Sequence, residues 1–271
     1  MSGEDLAIME KAPVLQLFNK KKIDVLLLTD SLDEPCLQRL GTFEGKKFVS
    51  VQKSDLKLDE TEEEKKTFKR TKDFFKPLTE WWKKLLVAET TDGTLKNTGV
   101  KVESVAISKR LVEAPCVVVA SQYGYSAQQE KIMKAQAFQN KDTFGMMVGK
   151  KTLEVNPNHP VIQDLLNKIK GDDDEVKSKA KETALVLFQA ALLDSGYEIA
   201  DASALVSKVY KMMSAELGVD PETPLQEIEL PEEEVTEDVK DDTESENNFA
   251  DNFDLGDLDL DEEDDQTRDE L

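Results

Sequence analysis

The sequence predicts an α+β fold in three sections. A small α/β piece comes first, then a domain with a small sheet that closes on a pair of helices, then an acidic tail. Three observations carry this. The run Cys116-Val117-Val118-Val119-Ala120, entered through Pro115, reads as a strand buried on both faces. Two long apolar-periodic segments, stopped by Gly196 and Gly218, read as neighbouring helices. Of the 271 residues, Pro221 to Leu271 hold 23 acidic against 2 basic, leaving 34 acidic and 33 basic before them. The net charge of −22 therefore sits almost wholly in the tail, which is too polar and self-repelling to order itself.

Taken in order, a helix from about Asp5 to Phe18 turns Leu6, Met9, Val14, Leu15 and Phe18 inward, with a break or restart at Pro13. Ile23 to Leu28 reads as a buried strand, Asp33 to Leu40 as a short helix, Gly41 to Lys46 as a turn and Phe48 to Val51 as a second strand. Strand, helix, strand favours a parallel pair. Ser54 to Asp59 is a linker. Glu60 to Lys76 is a charged helix, and Pro77 separates it from a second, Thr79 to about Leu86. Phe68, Phe74, Phe75, Leu78, Trp81, Trp82, Leu85 and Leu86 concentrate the apolar bulk here, and core packing explains them better than a binding groove.

Thr90 to Gly99 is a loop, and Val100 to Ile107 a strand set antiparallel to the one after Pro115. Ser121 to Tyr125 punctuates. Ser126, with Gln129 three residues on, forms a capping box for a helix from Ala127 to about Phe138, whose apolar surface includes Ile132, Met133, Ala135 and Ala137. Asn158 is the expected cap of a helix from His159 to Lys170 that ends at Gly171. Asp172 to Glu175 is a solvated acidic run at the next helix start. That helix runs to about Ser195, and its partner starts after Asp201.

The residue identities say more than the periodicity. Ser108-Lys109-Arg110-Leu111, Pro115-Cys116, Tyr123-Gly124-Tyr125-Ser126-Ala127 through Lys131-Ile132-Met133-Lys134-Ala135-Gln136-Ala137, and Leu153 through Pro160 closely resemble the C-terminal domain of the heat-shock protein 90 chaperones. The likeness spans most of residues 1–219. It implies the end of a middle domain over 1–53, a C-terminal dimerisation domain over 54–219 and a disordered tail over 220–271. Met1-Ser2-Gly3-Glu4 resembles an interior stretch of the middle domain, so Met1 reads as an internal residue of a longer protein.

The same resemblance implies roles. Phe144, Met146 and Met147 match the family's client-facing residues, and flanking glycines with adaptable methionines suit contact with varied unfolded proteins. Leu185, Phe188, Leu192, Leu193, Leu205, Val206, Val209, Met213 and Leu217 make an apolar surface wider than one supporting face needs. A four-helix bundle from two copies of the chain would bury it, as the family dimerises. The chain ends Arg268-Asp269-Glu270-Leu271, close to the Lys-Asp-Glu-Leu retrieval address. With the acidic tail, that implies the endoplasmin-like branch of the family, the endoplasmic reticulum lumen and a retrieval receptor as partner.

No catalytic or metal-ligating constellation is expected in this chain. His159 is the single histidine and reads as a cap or surface group. Cys36 and Cys116 are far apart, form no Cys-x-x-Cys and read as two buried free thiols. Gly145 to Thr152 lacks the spacing, the Ser/Thr and the preceding strand of a phosphate loop. The family resemblance implies that ATP and Mg²⁺ belong to the longer parent, whose ATPase depends on an N-terminal nucleotide domain and a middle-domain arginine not recognisable in this chain. Asp257, Asp259 and Asp261 alternate as in a calcium loop, but Glu262 stands where the turn glycine belongs, so no preformed calcium site is expected; the tail reads as a solubilising extension, and weak Ca²⁺ buffering is what the resemblance to the endoplasmin-like branch implies. Phe249, Phe253, Leu255, Leu258 and Leu260 within the acids form a candidate docking motif. No basic surface suits a nucleic acid, and no apolar run approaches the roughly 20 residues of a membrane span. The function expected is dimerisation and client binding for an ATP-dependent chaperone. The alternatives are a free-standing dimeric adaptor or low-affinity calcium buffer, and a Ser or Cys hydrolase, which lacks a base.

Overall fold

The structure, a computed structural model, describes residues 1–58, 60–91, 93, 95, 100–122, 124–136, 149–199, 201–220 and 223–224. Met1–Thr223 form one compact unit and Pro224–Leu271 a second, of which only Pro224 is described.

The first unit opens with α1 (Leu6–Glu10), a 3₁₀ turn (Pro13–Leu15) and α2 (Gln16–Lys21). Asp5 caps α1 by accepting from the Ala7 and Ile8 amides, and the chain restarts at Pro13 as expected. Next come α3 (Asp33–Leu40) and a two-residue hairpin, β1 (Thr42–Phe43) with β2 (Lys46–Lys47), where a plain turn was expected. The two strands predicted on either side of α3 do not form a parallel pair. Ile23, Leu26 and Val49 are exposed, and the first stretch makes a single parallel bridge, Leu28 to Ser2. β-Branched sequence alone does not make a strand without a neighbour to bond.

Helix α4 (Glu62–Thr91) is continuous through Pro77, correcting the predicted division into two helices. Pro77 removes one backbone donor, but Phe75, Leu78, Trp82 and Leu86 on either side pack into one core and hold the axis. Phe68, Trp81 and Leu85 pack against that core and Phe74 stays exposed, with the Lys170 ammonium 4.8 Å from its ring centroid.

The main sheet has three strands, β3 (Lys101–Ile107), β4 (Cys116–Ala120) and β5 (Lys150–Val155), in the order β3-β5-β4. β3 runs antiparallel to β4 as expected, but the two are not neighbours. Instead β5 lies between them, parallel to β3 and antiparallel to β4. Two local anchors shape the connection between β3 and β4: the Gln16 side-chain oxygen accepts from the Val112 and Glu113 amides, and Asn156 donates to the Val112 and Ala114 carbonyls.

β4 is buried on both faces, and its alternation divides two cores. Cys116 and Val118 join α4, α6 (Pro160–Lys170) and α7 (Asp174–Asp194) on one side. Val117 and Val119 join Val14, Leu15, Phe18 and Val51 on the other. Cys116 is buried as expected, but Cys36 is exposed on α3, and both are free. Between β4 and β5, α5 (Ala127–Gln136) begins with the predicted box: the Ser126 amide donates to Gln129 and the Gln129 amide to the Ser126 hydroxyl. The cap of α6 is His159, one residue beyond Asn158; its Nδ1 accepts from the Val161 amide at 3.2 Å. α7 is capped by Asp173 and α8 (Ala202–Glu216) by Asp201. Both end in left-handed glycines, Gly196 and Gly218, followed by amides bonded back to Leu192 and Ser214.

Candidate interaction surface

Helix α8 buries only Leu205. Its remaining apolar residues divide by helical spacing. Leu205 and the half-buried Val209 face the rest of the chain. Val206, Tyr210, Met213 and Leu217, spaced by four, three and four, form one stripe on the outer side, with Tyr210 64% and Leu217 77% exposed. Met212, Val219 and, on α7, Leu193 are exposed as well. The nine residues predicted for dimerisation thus separate into two groups. Leu185, Phe188, Leu192 and Leu205 are committed to the chain's own core with the half-buried Val209 beside them, whereas Leu193, Val206, Met213 and Leu217 are exposed. Tyr210 was not among the predicted residues, although the same spacing selects it.

Phe144, Met146 and Met147, assigned above to client contact, lie outside the described residues, as do Arg268 to Leu271. What is described is the ground on either side. α5 ends at the exposed Gln136, and the chain resumes at the buried Gly149, where a Cβ would come within 2.7 Å of the Tyr125 nitrogen. Lys151, 2% exposed, donates to Glu130 at 2.6 Å and lies 4.5 Å over the Tyr197 ring. Burial raises the Glu130 carboxyl against the opposing pull of Lys151, and burial lowers the Lys151 ammonium against Glu130. The Tyr197 hydroxyl, pushed up by burial, donates to the Tyr125 carbonyl at 3.2 Å.

A second buried polar group closes the other face of the sheet. The Arg110 guanidinium donates to the Val51 and Lys53 carbonyls and to Glu154 at 2.7 Å, and the Ser108 hydroxyl donates to Glu154 at 2.8 Å. These groups satisfy each other, and their chemistry is structural. Burial pushes the Cys116 thiol to about 12, so it is un-ionised at neutral pH and a poor nucleophile. Among the described residues no three His, Cys, Asp or Glu side chains gather around a metal-sized space, and no helix is long and apolar enough to cross a membrane.

The description "Hsp90 protein" belongs to the family whose sequence pattern matches residues 1–248. The chain belongs to the Hsp90 family. Among similar proteins, an endoplasmin homolog from Hordeum vulgare is 38% identical, over 84% of this chain and 26% of its own length. A putative heat shock protein HSP 90-beta-3 from Homo sapiens is 37% identical, over 81% and 34%. An endoplasmin homolog from Catharanthus roseus is 35% identical, over 86% and 26%. The chain therefore spans about a quarter to a third of the length of the Hsp90 relatives it matches. The mixed helices and small sheets agree with an Hsp90 fragment, and two of these relatives mark it as endoplasmin-like.

Proposed function

We propose that this chain is the dimerising, client-contacting part of an ATP-dependent Hsp90 chaperone of the endoplasmic reticulum lumen. The observation that carries the reading is the outer stripe of α8, Val206, Tyr210, Met213 and Leu217, which nothing in the described chain covers. Full burial of a large apolar side chain is worth roughly 1.5–3 kcal/mol, so a self-complementary contact along this stripe offers a strong drive to pair. Family membership and the endoplasmin names of two relatives support the chaperone role and the compartment.

In this reading α7 and α8 of two subunits build a four-helix bundle, and Phe144, Met146 and Met147 touch unfolded clients. Arg268 to Leu271 are read by a retrieval receptor, and the tail holds Ca²⁺ weakly at most. ATP and Mg²⁺ act elsewhere in the full-length protein, where pairing through α8 raises the effective concentration of the distant domains for each other. Sedimentation equilibrium tests the pairing. Wild-type chain is expected to be dimeric at tens of micromolar, and Tyr210→Asp with Leu217→Asp monomeric with unchanged helicity. A wild-type monomer, or a dimer in the double variant, removes this stripe as the interface. Leu192→Asp tests the core instead, because Leu192 is inside it.

A further inference from the structure

Helix α5 is fastened to two separate parts of the chain. At its start Ser126, 1% exposed, donates to Glu34 of α3 at 2.6 Å, and Ser2 donates to the same carboxylate oxygen at 2.6 Å. The Gln38 amide donates to the other Glu34 oxygen at 3.2 Å. One turn on, Lys131 pairs with Glu4 at 3.1 Å. On its other flank α5 holds the corner between α7 and α8: Lys134 pairs with Glu198, and Glu130 holds Lys151 over the Tyr197 ring. Tyr197 in turn donates to Tyr125, just before the cap.

The ties differ in what they cost to break. The pairs of Lys131 and Lys134 are exposed and contribute little. Glu34, Ser126, Lys151 and Tyr197 are buried, and separating any of them from its partner strands a polar group away from water. The buried ties all meet α5 at its start, at Tyr125, Ser126 and Glu130, across one capped turn whose internal bonds resist stretching. If α3 lifts away from the sheet, either the Glu34 carboxylate loses Ser126 and Ser2, or α5 goes with it and pulls on Glu130 and Tyr125. Both routes break buried ties, and the first also leaves Ser126 and Ser2 without the carboxylate they share.

We propose that α5 is a strut that joins opening of the α3 layer and opening of the α7–α8 corner into one cooperative event. The strut goes beyond the dimerisation reading and does not depend on it, because it is read within one chain. Native-state amide exchange on the full chain tests it. Glu34→Ala is expected to speed exchange at least tenfold at Tyr197 and Ala204, whose amides bond to Leu192 and Asp201. Tyr197→Phe, which removes one hydroxyl, is expected to speed Cys36 and Gly41 of α3 in the same way. The amides of α6, which no tie touches, serve as the control and keep wild-type rates. Acceleration confined to the substituted end, or spread equally over α6, overturns the strut. Should Glu34→Ala fail to fold, Glu34→Gln preserves the shape of the side chain and is judged by the same comparison.

Discussion

Arg110 and Glu154 show how single residues make a buried strand out of an unpromising sequence. Their side chains are 4% and 8% exposed, and the guanidinium also satisfies the Val51 and Lys53 carbonyls. Removing one partner leaves an uncompensated buried charge, so Arg110→Met is expected to cost about 3–5 kcal/mol in denaturant unfolding. Arg110→Met with Glu154→Leu is expected to recover much of that loss, since the stranded carboxylate is gone. A double variant no more stable than Arg110→Met shows that the carbonyl contacts, not the ion pair, carry the energy. Lys151 obeys the same rule on the opposite face, where Glu130 neutralises it.

At the scale of elements, α4 is the instructive case. Pro77 is exposed and lies in the middle of a 30-residue helix, where it blocks one backbone hydrogen bond. The helix survives because its apolar residues on both sides of the proline belong to one core. Pro77→Ala restores the donor without touching that core, so it is expected to raise stability by about 1–3 kcal/mol. Thermal unfolding that is unchanged or lower than wild type locates a compensating role for the proline. The same override explains why residues 23–28 do not form the predicted strand: propensity is present, but no neighbouring strand supplies partners along its length.

For the whole molecule, two cores back onto one strand, and the outer stripe of α8 is left to a second subunit in the proposed dimer. The client assignment separates from pairing at this scale. Phe144→Ser with Met147→Ser is expected to lower suppression of client aggregation severalfold while leaving the sedimentation mass unchanged. Full suppression by that variant moves client contact to another surface.

Much of this architecture was legible in the residues themselves. The doubly buried β4, the Ser126–Gln129 box, α3, and the glycine stops of α7 and α8 follow from local chemistry, because each is decided by groups within a few positions. The family likeness, read from the identities between Ser108 and Pro160, agrees with the match over residues 1–248. Other features were not legible. β5 reads Lys-Lys-Thr-Leu-Glu-Val, too charged for a central strand until Glu130 and Arg110 are brought to it from elsewhere. The nine predicted dimerisation residues were apolar alike, yet only packing separated Leu192, inside, from Leu217, outside. Periodicity marks which residues avoid water, whereas the tertiary structure decides whether this chain or another one covers them.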